Sequence, residues 1–310
     1  MVFERDAAGR LSGVRVNQTA YIKSKFPEVA EVPAEVAKKS PQELLSPAGA
    51  DWYRTANGRL AWTGNTRPQN AFDISECASG AKAPTVAEAK RLGKVIRGVL
   101  ETAEDSLYLP RVDPDGLGSL THADGSFANR GERTQGGYCT FLTSMTTDAS
   151  CAPGEVVAGM VDFKSHKIAR VCNCTYDAET IETVEGTDVG LSVSYLVTEL
   201  RYGRLPSLAE RVLLRGYGHE SEVAGPLVST RVLNDGMGTI TSIYSTKPVT
   251  NKRRMLDVAL LREVVDSGKV GLGHCPTDKM CADALTKRMP TDAVRKAACR
   301  GRVYGGDTSS

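Results

Sequence analysis

The sequence is marked first by what it lacks. No apolar run approaches the roughly 20 residues that span a bilayer, and the first 25 residues hold no apolar stretch of the kind that forms a secretory leader. The expectation is a protein with no membrane association, not secreted, cytoplasmic or nuclear. Internal repeats and low-complexity tracts are absent. There is no Cys-x-x-Cys pair; the eight cysteines are scattered as Cys77, Cys139, Cys151, Cys172, Cys174, Cys275, Cys281 and Cys299. An even count in a long chain without a leader points to reduced thiols rather than a disulfide framework. Cys172 and Cys174 bracket one residue, which in a strand would place both on one face. With Cys275 and Cys281 they form the one zinc set worth naming, and reduced thiols remain the preferred reading. The net charge is only +2, so the chain as a whole lacks the field of a nucleic-acid binder.

What is present suits a globular fold: 310 residues, 41% hydrophobic and 25% charged, enough for one large domain or two smaller ones. Charge is concentrated locally. Lys252, Arg253 and Arg254 are consecutive, and Lys287, Arg288, Arg295, Lys296, Arg300 and Arg302 make the C-terminus basic. Residues 1–45, punctuated by Pro27, Pro33 and Pro41, read as a strand-turn fragment and loop. Residues 86–102 are helical, with Leu92, Ile96, Val99 and Leu100 on one face and Thr85 placed to cap the start. Turn chemistry over 110–117 marks a boundary. Beyond it the pattern predicts strands over 118–127, 136–146 and 155–162. A helix over 177–201 follows, with Val189, Val193, Leu196 and Leu200 on one face. A strand over 226–234 precedes a helix over 252–267 whose Leu256, Leu260 and Val264 recur every four residues. A strand over 269–275 and a helix over 279–288 complete the order. Hairpin strands followed by alternating helices and strands predict an α/β domain with a mixed sheet.

Four acids fall at the ends of these elements. Asp124 lies in the first strand, Glu179 near the start of the long helix, Asp235 at the end of the fourth strand and Asp283 at the opening of the last helix. Each has an ordinary explanation: Asp235-Gly236 is a turn signal, and Asp283 and Glu179 are favourable charges at helix starts. Together, carboxylates converging from strand ends and helix starts can hold hard divalent cations, which prefer oxygen ligands. Two such ions about 4 Å apart can activate a water and stabilise a phosphodiester's leaving oxygen.

At this point the sequence resembles the C-terminal part of a copia-type retrotransposon polyprotein, the end of a reverse transcriptase followed by ribonuclease H. GVRVNQTAYI (13–22) looks like the family's closing palm segment. GRLAWTGNTRPQNAF (58–72) is similar to its Gly-x-Leu-x-Trp … Thr-Arg-Pro-Asp-x-x-Phe segment, and KRLGKVIRGVLET (90–102) to its following helix. HADGSF matches the family's Ser-Asp-Ala segment at Asp124, and FKSHKIARVCNCTYDAET (163–180) places the second acid on Glu179. VLNDGMG places the third on Asp235. The longest match is HCPTDKMCADALTKRMP (274–290), which places the fourth on Asp283. His274, nine residues before Asp283, stands where a proton-transfer histidine is found in cellular ribonucleases H. Departures are Gln69 for the usual Asp, Asp162 near a usual Trp, and Gly236 for the usual Asn.

The resemblance implies a ribonuclease H-like five-stranded mixed sheet flanked by helices over 112–292, a basic tail over 293–310, and a mostly helical palm and connection remnant over 1–111. It implies that Asp124, Glu179, Asp235 and Asp283 bind two Mg²⁺ (or Mn²⁺), with His274 assisting, to hydrolyse the RNA strand of RNA–DNA hybrids. The basic residues after 286 and at 252–254 would contact the backbone. The partners implied are the hybrid and the rest of the polyprotein, including the reverse transcriptase palm and fingers. No Tyr-Val-Asp-Asp-like motif is present, so polymerisation by this chain alone is not expected. The helix at 86–102 carries an apolar face that needs a partner. The alternatives are an inactive relic and a nucleic-acid-binding module that does not cleave.

Overall fold

A capping box opens the most regular helix of the N-terminal region. Glu88 N–H donates to Thr85 Oγ1, and Thr85 N–H donates to the Glu88 carboxylate at 2.7 Å; this satisfies two of the amides that a helix start otherwise leaves bare. The computed structural model describes residues 1–114, 116–130, 133–144, 151–203, 228–249 and 251–306. It divides into two units, Met1–Leu109 and Pro110–Ser310.

In the first unit, β1 (Val2–Arg5), β2 (Leu11–Val16) and β3 (Leu107–Pro110) form a three-stranded sheet in that order. Four helices accompany it: α1 (Thr19–Lys25), α2 (Pro47–Thr63), α3 (Ala71–Ser79) and α4 (Val86–Glu101). The predicted apolar face of α4 is covered within this unit. Leu92, Ile96 and Val99 are fully buried with Ile22, Phe26, Tyr53 and Leu60, each such side chain contributing roughly 1.5–3 kcal/mol. Residues 1–45, read as strand and loop, also contain α1 and two short 3₁₀ turns. Helix α2 was not visible in the sequence because few of its 17 residues are buried, among them Tyr53, Ala56 and Leu60. Arg67 is fully buried, and its guanidinium donates to the Thr102 hydroxyl and carbonyl.

The second unit is built on a six-stranded mixed sheet. Its strands are β4 (Leu117–Arg130), β5 (Arg133–Ser144), β6 (Glu155–Lys167), β7 (Ser229–Asn234), β8 (Val270–His274) and β9 (Arg302–Tyr304), in spatial order β8-β7-β4-β5-β6-β9. β4, β5 and β6 are successive antiparallel neighbours, β7 runs parallel to β4, and β8 runs parallel to β7. This is a ribonuclease H-like α/β sheet with one added edge strand. The helices are α5 (Thr175–Tyr202), α6 (Met237–Tyr244), α7 (Met255–Asp266), the single turn α8 (Asp283–Thr286) and α9 (Asp292–Arg300). Residues of α5, α6 and α7 pack with Ala123, Val232, Val270 and Leu272 of the sheet. α8 lies on the opposite face, where Leu285 comes against Gly137.

Three expectations are corrected here. The stretch read as a basic tail is α9 and β9: β9 pairs antiparallel with β6, and the buried His122 ring of β4 bonds the Tyr304 carbonyl at 2.9 Å. The predicted faces of two helices are also wrong. In α5, Leu196 and Leu200 are exposed, while Ala178, Glu182, Gly186, Gly190, Ser194 and Thr198 are buried, the first four of them against the sheet. A Cβ at Gly186 would crowd that of Ala123, so the helix lies too close to the sheet for large side chains. In α7, Leu256 and Leu260 are exposed, and Asp257, Val258 and Leu261 are buried. Asp257 is tolerated inside because Arg170 grips it through two bonds of 2.9 Å and Arg254 adds a third at 3.0 Å. Residues 145–146 and 226–227, assigned to predicted strands, lie outside the described residues.

Candidate metal centre

The central strand β4 sets the position of the first carboxylate. Asp124 pairs in register with Gly137 of β5, and its side chain is turned toward α8, where the Thr286 hydroxyl donates to Oδ2. Its neighbour Gly125 faces the other way. A Cβ there would strike the Ala178 and Glu179 backbone, so glycine lets the start of α5 rest directly on β4. That close approach brings Glu179 to the carboxyl end of the central strands. β7 ends beside β4, and Asn234 fixes the join: its Nδ2 donates to the Ala123 carbonyl at 2.9 Å and its Oδ1 accepts from Gly236 N–H at 2.6 Å. Asp235 therefore emerges from a held turn. Its Oδ2 accepts from the Thr277 hydroxyl at 3.1 Å.

Gly236 explains a departure noted in the sequence. The space a Cβ would occupy there is taken by the Glu179 carboxylate, so a larger residue would push Glu179 away. Thr239, in the first turn of α6, donates to Glu179 Oε2 at 3.4 Å. Asp283 opens α8 and is almost wholly buried, and its Oδ1 meets Lys287 Nζ at 2.7 Å. Its Oδ2 is buried with no hydrogen-bond partner.

These positions bring all four predicted acids to one place. Single oxygens of Asp124, Asp235 and Asp283 lie within 4.8 Å of one another, and Glu179 adjoins Asp235 across Gly236. Burial and the neighbouring Asp283 and Asp235 push the Asp124 carboxyl up to about 7, against the Thr286 bond and the Lys287 charge. Burial and Asp235 push Glu179 up to about 7. Asp235 is raised as well, by burial and then by Asp283. Like charges forced together in a dry site favour the proton-bound form until a cation relieves them. Lys287 partly does so: burial disfavours its charge, but Asp283, Asp124 and Asp235 outweigh that and raise its pKa.

The structure does not bring His274 into this group. It ends β8, exposed, opposite Asn234 in the register, and is not among the three clustered carboxylates. Lys287 is the residue that sequence reading misplaced: it was counted as a backbone contact, and it points into the carboxylates. The Asp-x-x-x-Lys spacing of one helical turn was the available signal. Arg254, also counted as a surface contact, is buried between Asp177 and Asp257; Lys296 pairs with Glu155 at 2.5 Å. The proposed zinc set does not form. Cys172 and Cys174 lie in the turn before α5, not in a strand. Among the described residues, the groups of three or more ligand-bearing side chains contain no cysteine.

Strand order and carboxylate arrangement thus define a ribonuclease H-like domain with a candidate divalent-cation site. No family model matches the chain, and a search of curated proteins found no match. Similar solved structures exist. One is the N-terminal ribonuclease H domain of a Mycobacterium tuberculosis protein, at 16% identity over 59% of this chain and 97% of that one, with a TM-score of 0.30. A second is ribonuclease H1 of the archaeon Halobacterium salinarum, at 15% identity over 58% and 98%, with a TM-score of 0.30. A third is LC11 ribonuclease H1, a protein from compost solved with an RNA/DNA hybrid, at 13% identity over 54% and 93%, with a TM-score of 0.30. Likenesses this distant carry no functional argument; the fold stands on the strand order itself.

Proposed function

We propose that the second unit hydrolyses the RNA strand of RNA–DNA hybrids with the help of divalent cations, Mg²⁺ or Mn²⁺, within a copia-type retrotransposon polyprotein. One observation carries this reading. Four carboxylates from four different elements meet at the same end of the sheet, three of them within 4.8 Å, with Lys287 as their cationic neighbour. The donor set fits hard cations: it is all oxygen, and a buried Asp283 oxygen lacks any hydrogen-bond partner. Asp124, Glu179, Asp235 and Asp283 would hold the ions. Once bound, these would lower the pKa of an attacking water and stabilise the departing 3′ oxygen.

The chain's own residues do the rest. Thr286 and Thr277 orient Asp124 and Asp235 through their hydroxyls, and Asn234 locks the turn that presents Asp235. Lys287, bonded to Asp283, offsets part of the carboxylates' mutual repulsion. His274, at the exposed rim, is retained in this proposal as a proton carrier for the leaving group. Hybrid shape and 2′-hydroxyl contacts, not base sequence, would give selectivity.

The test is incubation of the full chain with a labelled RNA–DNA hybrid, Mg²⁺ or Mn²⁺, and a single-stranded RNA control. Cation-dependent cleavage of the hybrid's RNA strand, lost in Asp124→Asn, supports the proposal. Cleavage unchanged in Asp124→Asn overturns it. Hybrid binding without cleavage would assign the chain to the non-cleaving module, and neither binding nor cleavage would assign it to the relic. The polyprotein context is tested separately, by reading the coding sequence upstream for a polymerase Asp-Asp motif in frame.

A further inference from the structure

A second cluster lies farther along α5, at the β6 side of the sheet. His166 Nε2 of β6 is 3.0 Å from Glu185 Oε2 and 3.4 Å from Glu182 Oε1. One ligand atom from each of the three side chains falls within 4.8 Å of the others. Glu182 is fully buried, and its Oε2 has no hydrogen-bond partner. Its carboxylate occupies the space above Gly136 of β5 that any Cβ would fill, so the strand is recessed to receive it. Lys164 meets the other Glu185 oxygen at 2.6 Å from a half-exposed position. A buried carboxylate oxygen with no donor is costly, and nothing in the carboxylate centre around Asp124 uses this cluster.

We propose that His166, Glu182 and Glu185 form a second metal site, for a borderline divalent cation such as Zn²⁺. The spacings suit it. Two ligands each about 2.1 Å from one ion stand roughly 3.0 Å apart at a right angle and roughly 3.4 Å apart at a tetrahedral angle. The separation of His166 from Glu182 is the tetrahedral one, and that from the more exposed Glu185 would widen by a few tenths of an ångström on binding. The imidazole selects zinc over Mg²⁺, which takes oxygen donors. His166 and Glu185 are partly exposed, which leaves an entry path and room for water in the open position. The ion would pin β6 to α5 and neutralise Glu182. This site is independent of the proposed hydrolysis.

The full chain, stripped of metal, is dialysed against micromolar Zn²⁺, and bound zinc is counted and its ligands read by X-ray absorption. The double variant Asp124→Asn, Asp283→Asn removes the other centre and should retain about one zinc with nitrogen and oxygen ligands. His166→Gln should lose that zinc, or bind it at least about tenfold more weakly. Glu185→Gln, at the exposed edge, should weaken it while leaving the fold intact, so the result does not depend on His166→Gln folding. Zinc should raise the melting temperature of the wild type but not of His166→Gln. No retained zinc, sulfur ligands, or equal occupancy in Glu185→Gln would overturn the assignment.

Discussion

Two clusters of acids share helix α5, and they are built differently. Glu179 belongs to a centre assembled from four separate elements, with a lysine as its cationic neighbour and oxygen donors throughout. Glu182 and Glu185, one and two turns on, meet a single strand, a histidine and a lysine that reaches in from solvent. Each is made possible by a glycine: Gly236 leaves room for the Glu179 carboxylate and Gly136 for that of Glu182. The difference teaches what a carboxylate position on a helix means. Along one helix, the facing element decides whether the acid sees hard oxygen neighbours suited to phosphate chemistry or an imidazole suited to a structural ion.

The largest expected effect separates the two centres by activity. Asp283→Asn should reduce hybrid cleavage at least about 100-fold, since even outer partners of metal ligands cost 10–100-fold, whereas Glu185→Gln should leave cleavage unchanged; single-turnover assays of both variants measure this. Next come the glycines. Gly236→Ala should cost roughly 1–3 kcal/mol of stability through overpacking and also weaken Mn²⁺ binding. Gly136→Ala should cost a similar amount without touching Mn²⁺ affinity at the Asp124 centre. Urea unfolding paired with calorimetric titration tests that contrast.

A smaller effect concerns Lys287. Replacing it with Met removes the resident cation, so Mn²⁺ should bind more tightly while the metal-free chain becomes less stable. Looser binding of Mn²⁺ by this variant would show that the lysine supports the ions instead of competing with them.

A further contrast is a pH dependence. Asp124 and Glu179 are held near 7 in the fold, above the values of about 4 expected for an unfolded chain. The folded state therefore keeps protons that the unfolded state releases. The stability they confer is present below about pH 4 and is lost as pH rises toward and through 7. In EDTA, Asp124→Asn should reduce the fall in unfolding midpoint between pH 5 and pH 8, and saturating Mn²⁺ should reduce it in the wild type.

Much of the carboxylate centre was legible because its acids sit beside strong local punctuation. Asp235 precedes a glycine at a strand end, Asp283 begins a helical turn, and Asp124 is followed by the Gly125 that α5 needs. The cap at Thr85 was legible for the same reason, since it is a contact between residues three apart; the reciprocal bond from Glu88 came only with the structure. The second cluster was not, because His166 and Glu182 meet only when β6 and α5 pack on the same stretch of β5. The buried faces of α5 and α7 were misread because periodicity marks apolar residues. It cannot show that Gly186 and Gly190 bring a helix too close for leucine, or that Asp257 is buried against two arginines.

The sequence by itself determined the order of elements and the positions of the four acids, since hydrophobic period, turn residues and caps act over a few neighbours along the chain. Tertiary structure alone decided that Lys287 faces the carboxylates, that the basic C-terminus becomes α9 and an edge strand, and that a histidine joins two glutamates beside Gly136. Those outcomes depend on which surfaces are pressed together and which charges lose their water, and both are properties of packing between segments distant in sequence.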